Sequence, residues 1–202
     1  MDDHMIQIAV AARAAVRKKA ASEGHGILNA MKANKEQLVN SMVNALNTVL
    51  QKAEEHQKNG DKGALSFISF SFLHSNLLLN RYAIRVDAWD QRFYIDEKEA
   101  SADWEFLPLL QNVDFDFSSI ESAVRKAVTR VQDYELDEVK RVYAMHYYAI
   151  AMDYLRGMTP ICLKQVECPA VRTAPEVFCT IGPYMERQPT FYIWKPETKN
   201  NT

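Results

Sequence analysis

The sequence lacks the short motifs that most often identify an enzyme. It contains no P-loop, no G-x-G-x-x-G dinucleotide turn, no G-x-S-x-G nucleophile elbow and no H-E-x-x-H zinc motif. The pattern of the zinc deaminases is also absent. Only six glycines occur, and they are not grouped as a loop that could hold a phosphate. We therefore expect a non-catalytic protein without a cofactor, with an enzyme as the alternative.

Cysteine is scarce, and long apolar runs are missing. Cys162, Cys168 and Cys179 form an odd set confined to the last quarter of the chain, whereas a disulfide framework is normally spread along a sequence. We expect reduced thiols and assign no metal site, although three thiols and a histidine are also the ligands of zinc. No run of 18 apolar residues occurs, and Asp2 and Asp3 stand where a signal peptide carries positive charge. The expected location is the cytoplasm, without membrane contact.

Positive charge is deficient in the middle of the chain. The formal net charge is −2, but residues 87–122 carry ten acidic side chains against two basic ones. Aromatic side chains interleave with these acids, among them Trp104 and Phe115. An acidic segment with interleaved aromatic residues is typical of a connection whose rings are packed and whose carboxylates are exposed to water. It is also typical of a surface that binds a basic partner. Nucleic acid is an unlikely partner, because the acidic remainder of the chain opposes binding to phosphates.

The hydrophobic pattern changes its period twice along the chain. Apolar residues recur at helical spacing up to about residue 58, alternate between residues 64 and 96, and become helical again after residue 118. The pattern predicts an α+β fold in which an antiparallel sheet of about five strands packs against helices, in the order α-α-β-β-β-α-α-β-β. The predicted strands are Ala64–Leu73, Tyr82–Trp89, Arg92–Asp96, Glu176–Ile181 and Thr190–Trp194.

The domain organisation follows from the same pattern. We predict one domain over residues 1–194 and a polar, disordered tail over residues 195–202. Gly24 and Gly26 interrupt the first helical stretch, which favours two N-terminal helices. The apolar stripe of residues 4–58 is compatible with packing on the sheet or with a homodimer interface.

One helix carries the richest set of functional side chains. The segment 136–156 is apolar or aromatic nearly all round, and its polar groups recur at spacings of three, four and seven. Histidine and tyrosine offer hydrogen-bonding and stacking groups to a ligand, although core aromatics with satisfied polar tips are the simpler interpretation. The candidate ligand-binding residues on this helix are Tyr143, His146, Tyr147 and Asp153.

The sequence thus leaves two functional hypotheses. The first is a cytoplasmic protein that binds an unknown protein partner through the acidic segment, with Asp96, Glu97, Glu99 and Asp103 as contact residues. The second is a small-molecule-binding protein or enzyme with a pocket near the 136–156 helix. No residue pattern identifies a substrate or a reaction.

Overall fold

The predicted α+β fold is confirmed by a computed structural model that describes residues 3–79, 81, 83–105, 113–167 and 170–196. Five strands of the described residues form one sheet, and helices precede and separate several of them. In chain order the elements are α1 (Asp3–Ala33), α2 (Lys35–Lys58), β1 (Leu65–Phe72), α3 (His74–Leu78), β2 (Ala83–Asp90), a 3-10 turn (Phe93–Ile95), β3 (Ser101–Glu105), α4 (Val113–Ala127), α5 (Asp133–Leu163), β4 (Thr173–Pro183) and β5 (Thr190–Trp194).

The described residues form two compact units. The helical unit contains those within 1–35, 74–82 and 106–151, and the sheet unit contains those within 36–73, 83–105 and 152–202. The single domain over residues 1–194 and the dimer interface on residues 4–58 stay predictions. The predicted tail lies mostly outside the described residues, which end at Pro196.

The sheet has the strand order β3-β2-β1-β4-β5. All neighbouring strands are antiparallel except β1 and β4, which are parallel. A parallel pair needs a long connection, and the chain between β1 and β4 supplies one. The predicted antiparallel sheet is therefore mostly, but not entirely, antiparallel.

The two faces of the sheet differ in chemistry. One face carries apolar side chains at paired positions, such as Phe70 opposite Val86 and Ile68 opposite Ala88. Helix α2 lies on this face, where Trp104 Nε1 donates a hydrogen bond of 2.9 Å to Ser41 Oγ. The side chains that α2 buries recur at intervals of three and four, as an amphipathic helix requires: Leu38, Met42, Ala45, Leu46, Val49, Leu50 and Ala53.

The helical unit is built around α1 and α4. Helix α1 buries Ile8, Ala12 and Val16 at intervals of four, and α4 buries Ile120 and Val124. An ion pair of 2.7 Å between Lys140 Nζ and Asp114 Oδ1 joins α5 to α4. The apolar stripes of these helices, spaced as the sequence predicts, form the interior of this unit.

Two local predictions differ from the structure. Helix α1 continues through Gly24 and Gly26, because the buried side chains Ile27 and Met31 extend its apolar stripe beyond them. Their burial offsets a helix cost of about 1 kcal/mol for each glycine.

The predicted strand Arg92–Asp96 is wrong. This segment forms a 3-10 turn, and the fifth strand is instead β3. The carboxylate of Asp90 accepts the Arg92 backbone N–H at 2.9 Å, and that of Asp96 accepts the Lys98 backbone N–H at 3.2 Å. Such local side-chain bonds compete with a strand ladder for the same backbone donors.

Candidate functional site

A groove lies within the helical unit, between α1 and the first half of α5. It encloses about 620 Å³. Its α1 wall is formed by Met5, Ile8, Ala9, Ala12, Arg13, Val16, Arg17 and Ala20, and its α5 wall by Glu135, Glu138, Val139, Val142 and His146. Apolar side chains form most of this lining, while the charged ones are confined to a few positions.

Small residues of α1 keep the groove open. The alanines at positions 9, 12 and 20 lie on the groove side of the helix, where larger side chains would occupy the space. The floor remains apolar because Ile8, Val16 and Val139 are buried beneath it. From Met5 to Ala20 the groove follows α1 for about 22 Å at a rise of about 1.5 Å per residue. The result is a long, apolar channel between two helices.

Polar contacts hold the two walls at both ends. At one end, His4 Nε2 lies 3.5 Å from Glu135 Oε1. At the other end, Lys19 Nζ pairs with Asp116 Oδ1 at 2.9 Å, and the Asp116 carboxylate also accepts hydrogen bonds from α5. Helices α1 and α5 therefore run in the same direction along the groove, and α4 joins them.

The buried carboxylate of Asp116 organises this second end. Tyr143 Oη donates to Asp116 Oδ2 at 3.1 Å, and Tyr147 Oη donates to the same oxygen in a shorter contact. The two tyrosine hydroxyls lie 3.3 Å apart. Burial raises the pKa of Tyr147, and its hydrogen bonds to Asp116 and Tyr143 raise it further, so the phenol stays protonated. This arrangement joins α4 to α5 at this end of the groove.

The four ligand-binding residues predicted on this helix occupy three different environments. His146 is exposed and lines the groove. Tyr143 and Tyr147 are buried on the Asp116 side of α5. Asp153 belongs to the sheet unit, where its exposed carboxylate accepts a hydrogen bond of 2.9 Å from Arg156. The structure brings Tyr143 and Tyr147 together, and it brings neither of them to the groove lining.

The four predicted partner-binding acids are also divided. Asp96 forms an ion pair with Lys62 in which both side chains are fully buried. Glu97 and Asp103 are exposed. Glu99 is exposed as well, and its carboxylate lies 2.9 Å from the Arg85 guanidinium. Three of the four acids are therefore on the surface, and the fourth, Asp96, is buried in the connection between β2 and β3.

The connection from β2 to β3 is held in one shape by charged side chains. The Asp90 carboxylate accepts hydrogen bonds from Arg92 Nη2 at 2.7 Å and from the Gly63 backbone N–H at 3.0 Å. Burial alone would raise the pKa of Asp90, but these hydrogen bonds lower it to about 2. Asp96 accepts the Asp90 backbone N–H at 3.1 Å. Within this fixed loop, the Ile95 side chain is 77% exposed.

Part of the second face of the sheet is polar and buried, and this burial was not predicted from the sequence. Ser69 lies opposite Asp87 on β2 and beside Thr180 on β4, and all three side chains are buried. Burial raises the pKa of Asp87 to about 6, against the opposing effect of the Arg85 guanidinium 2.9 Å away. The serines that alternate with apolar residues in β1 were the available signal for a polar face. Their burial was unexpected, because buried polar residues are the exception in a sheet core.

The cysteines that the structure describes are not reactive groups. Cys162 and Cys179 are buried, and burial raises the pKa of their thiols to about 11 and about 12. A protonated thiol is a poor nucleophile and metal ligand. Cys168 lies outside the described residues. Among the described residues, no three His, Cys, Asp or Glu side chains cluster as a metal site would require.

Comparisons with known proteins identify no relative. No protein-family model matches the chain, and no curated protein or solved structure is significantly similar to it. Within the described part of the chain, no helix has an apolar stretch long enough to cross a membrane.

Proposed function

We propose that the protein binds a small ligand with an apolar body in the groove between α1 and α5. The observation that carries this proposal is the groove itself, whose volume of about 620 Å³ is lined mainly by aliphatic side chains. Binding sites for small molecules typically have volumes of about 300–1,000 Å³, with mostly apolar linings and a few polar groups. The proposal retains the predicted pocket near the 136–156 helix. Its lining, however, is mainly aliphatic and does not include Tyr143 or Tyr147.

The energetics favour an apolar occupant. Val142 on the α5 wall is 48% exposed, and Ala9 on the α1 wall is exposed as well. A ligand that covers this surface removes apolar area from water, which contributes about 25 cal/mol per Å². Because most of the lining is aliphatic, binding is the proposed activity.

The test uses N-phenyl-1-naphthylamine, a neutral fluorophore whose emission rises in an apolar site. We expect saturable binding to the wild-type chain. The variant Ala9→Trp places an indole in the groove and should weaken binding at least about tenfold, because the indole and the fluorophore compete for the same space. Its matched control is Ala14→Trp, which adds the same side chain at an exposed position of α1 outside the lining.

The two variants make the proposal falsifiable. If Ala9→Trp binds the fluorophore as tightly as Ala14→Trp does, the groove is not the binding site. If the wild-type chain gives no saturable signal, the proposed activity is absent. Far-UV circular dichroism of both variants checks that α1 has kept its helical structure.

A second candidate function is supported by the loop between β2 and β3. Ile95 is 77% exposed there, next to the exposed acids Glu97 and Glu99. The buried Lys62–Asp96 ion pair holds the loop in place without a partner, and a preformed loop loses less entropy on binding. An apolar tip flanked by acids fits a protein partner with a basic rim around an apolar pocket.

The test of this second candidate separates specific from general charge effects. Replacing Glu97, Glu99 and Asp103 with Ser should abolish recovery of a partner in a pull-down. A control with Ser at three exposed acids elsewhere (Glu36, Glu55 and Asp137) should retain it. Equal recovery by both triple variants would exclude this loop as the contact surface.

A further inference from the structure

We infer that the ligand of the groove carries an anionic head group, which Arg13 and Arg17 bind. This inference rests on the proposed function and specifies its ligand class. Both arginines line the groove, and both are exposed. They lie four residues apart on α1 and therefore on the same side of the helix, so that one head group can contact both guanidiniums.

The charges of Arg13 and Arg17 are not neutralised by any residue that the structure describes. Neither forms an ion pair with any residue that the structure describes, whereas the neighbouring Lys19 is paired with Asp116. An unpaired guanidinium offers up to five donors in a planar fork that matches a carboxylate or a phosphate. The α1 wall therefore presents positive charge that the fold itself does not use.

The carboxylates of the opposite wall are already engaged. Glu138 forms a two-bond contact with the Arg141 guanidinium, with distances of 2.8 and 2.5 Å. Glu135 is buried, accepts the Gln132 backbone N–H at 2.8 Å and faces His4. Glu138 is thus paired with Arg141 and Glu135 is buried, so that Arg13 and Arg17 are the exposed charges of the lining without a described counter-charge.

The positions of these charges orient the ligand. Arg17 and His146 lie toward the end of the groove that Asp116 closes, and Met5 lies at the other end. The segment from Met5 to Arg17 is about 18 Å long at a rise of about 1.5 Å per residue. An extended hydrocarbon chain fits along the aliphatic floor over that length, with its head group at the arginines.

The experiment compares ligands of one chain length and different head groups. Laurate, dodecyl phosphate, dodecanol and dodecylamine displace bound N-phenyl-1-naphthylamine from the wild-type chain, each below its micelle concentration. We expect the two anions to displace the fluorophore at concentrations at least about tenfold lower than dodecylamine requires. The concentration that dodecanol requires should lie between those of the anions and that of the amine. The carboxylate and phosphate arms distinguish the two sources of an anionic head. Equal displacement by laurate and dodecylamine would overturn the inference.

Charge variants locate the effect. The double variant Arg13→Gln, Arg17→Gln should lower the affinity for laurate at least about fivefold relative to the affinity of the same variant for dodecanol. The matched control Lys18→Gln, Lys32→Gln removes two exposed cations of α1 that do not line the groove. An equal loss of laurate affinity in both double variants would indicate a general electrostatic effect of the positive charge on α1, and it would overturn the inference. Loss of fluorophore binding in the wild type would instead overturn the proposed function.

Discussion

The buried ion pair between Lys62 and Asp96 provides a quantitative test of the structure. The substitution Lys62→Met keeps most of the volume and removes the ammonium group, so that the Asp96 carboxylate stays buried without its cation. Both side chains are fully buried, and Lys62 also donates a hydrogen bond of 2.8 Å to the Lys98 carbonyl oxygen. No solvent can replace the missing partner.

The magnitude follows from what remains around Asp96. Breaking a buried ion pair by removing one partner typically costs about 3–5 kcal/mol. Asp96 keeps two backbone N–H donors, from Asp90 and Lys98, and the Arg92 guanidinium 3.5 Å away. These contacts partly compensate the charge, so we expect the lower limit, about 3 kcal/mol, as the loss in the free energy of unfolding.

Urea unfolding followed by tryptophan fluorescence measures this loss. All three tryptophans, at positions 89, 104 and 194, belong to the sheet unit, and Trp89 is close to Lys62. The double variant Lys62→Met, Asp96→Asn removes both charges and should be more stable than the sum of the single losses implies. The control Lys58→Met removes a cation whose side chain is 67% exposed, and it should leave the urea midpoint unchanged.

If Lys62→Met unfolds at the same urea concentration as the wild type, the pair is not buried as described. The loop between β2 and β3 would then not be fixed in advance, and the argument for the second candidate function would lose its basis.

Two further predictions concern buried titratable groups. Tyr147→Phe removes a donor to the buried Asp116 carboxylate, so the free energy of unfolding measured by far-UV circular dichroism should fall by about 1–3 kcal/mol; an unchanged value would contradict the network. The pKa of Asp87 is raised from 3.8 to about 6, chiefly by burial, so the native state binds more protons than the unfolded chain between these pH values. Stability should therefore fall as pH rises through this window, by up to about 3 kcal/mol. Asp87→Asn should remove that slope, and an identical slope in the variant would contradict the assignment.

The regular elements were predictable because their signals are local. Alternation in β1 and β2 assigned Phe70 and Val86 to one face and Ser69 and Asp87 to the other, as the strand register confirms. Helical spacing identified α2, α4 and much of α5 for the same reason. Period and face depend on neighbours within a few residues, which a single sequence displays.

The site was only partly predictable because it depends on distant partners. His146 was singled out on its helix, but the groove wall facing it comes from α1, more than a hundred residues earlier in the chain. Asp96 belongs to an acidic run that suggests a solvated surface, and only the position of Lys62 shows that it is buried. Pairings across such separations leave no periodic signal in the sequence.

Methyl-resolved NMR with unlabelled laurate tests the central claim most directly. We predict that titration shifts the methyl signals of Ile8, Val16, Val139 and Val142, which line the groove. The signals of Ile84 and Val86, which are buried in the sheet unit, should not move. Shifts confined to the sheet unit, or no shifts at any concentration below micelle formation, would contradict a ligand site between α1 and α5.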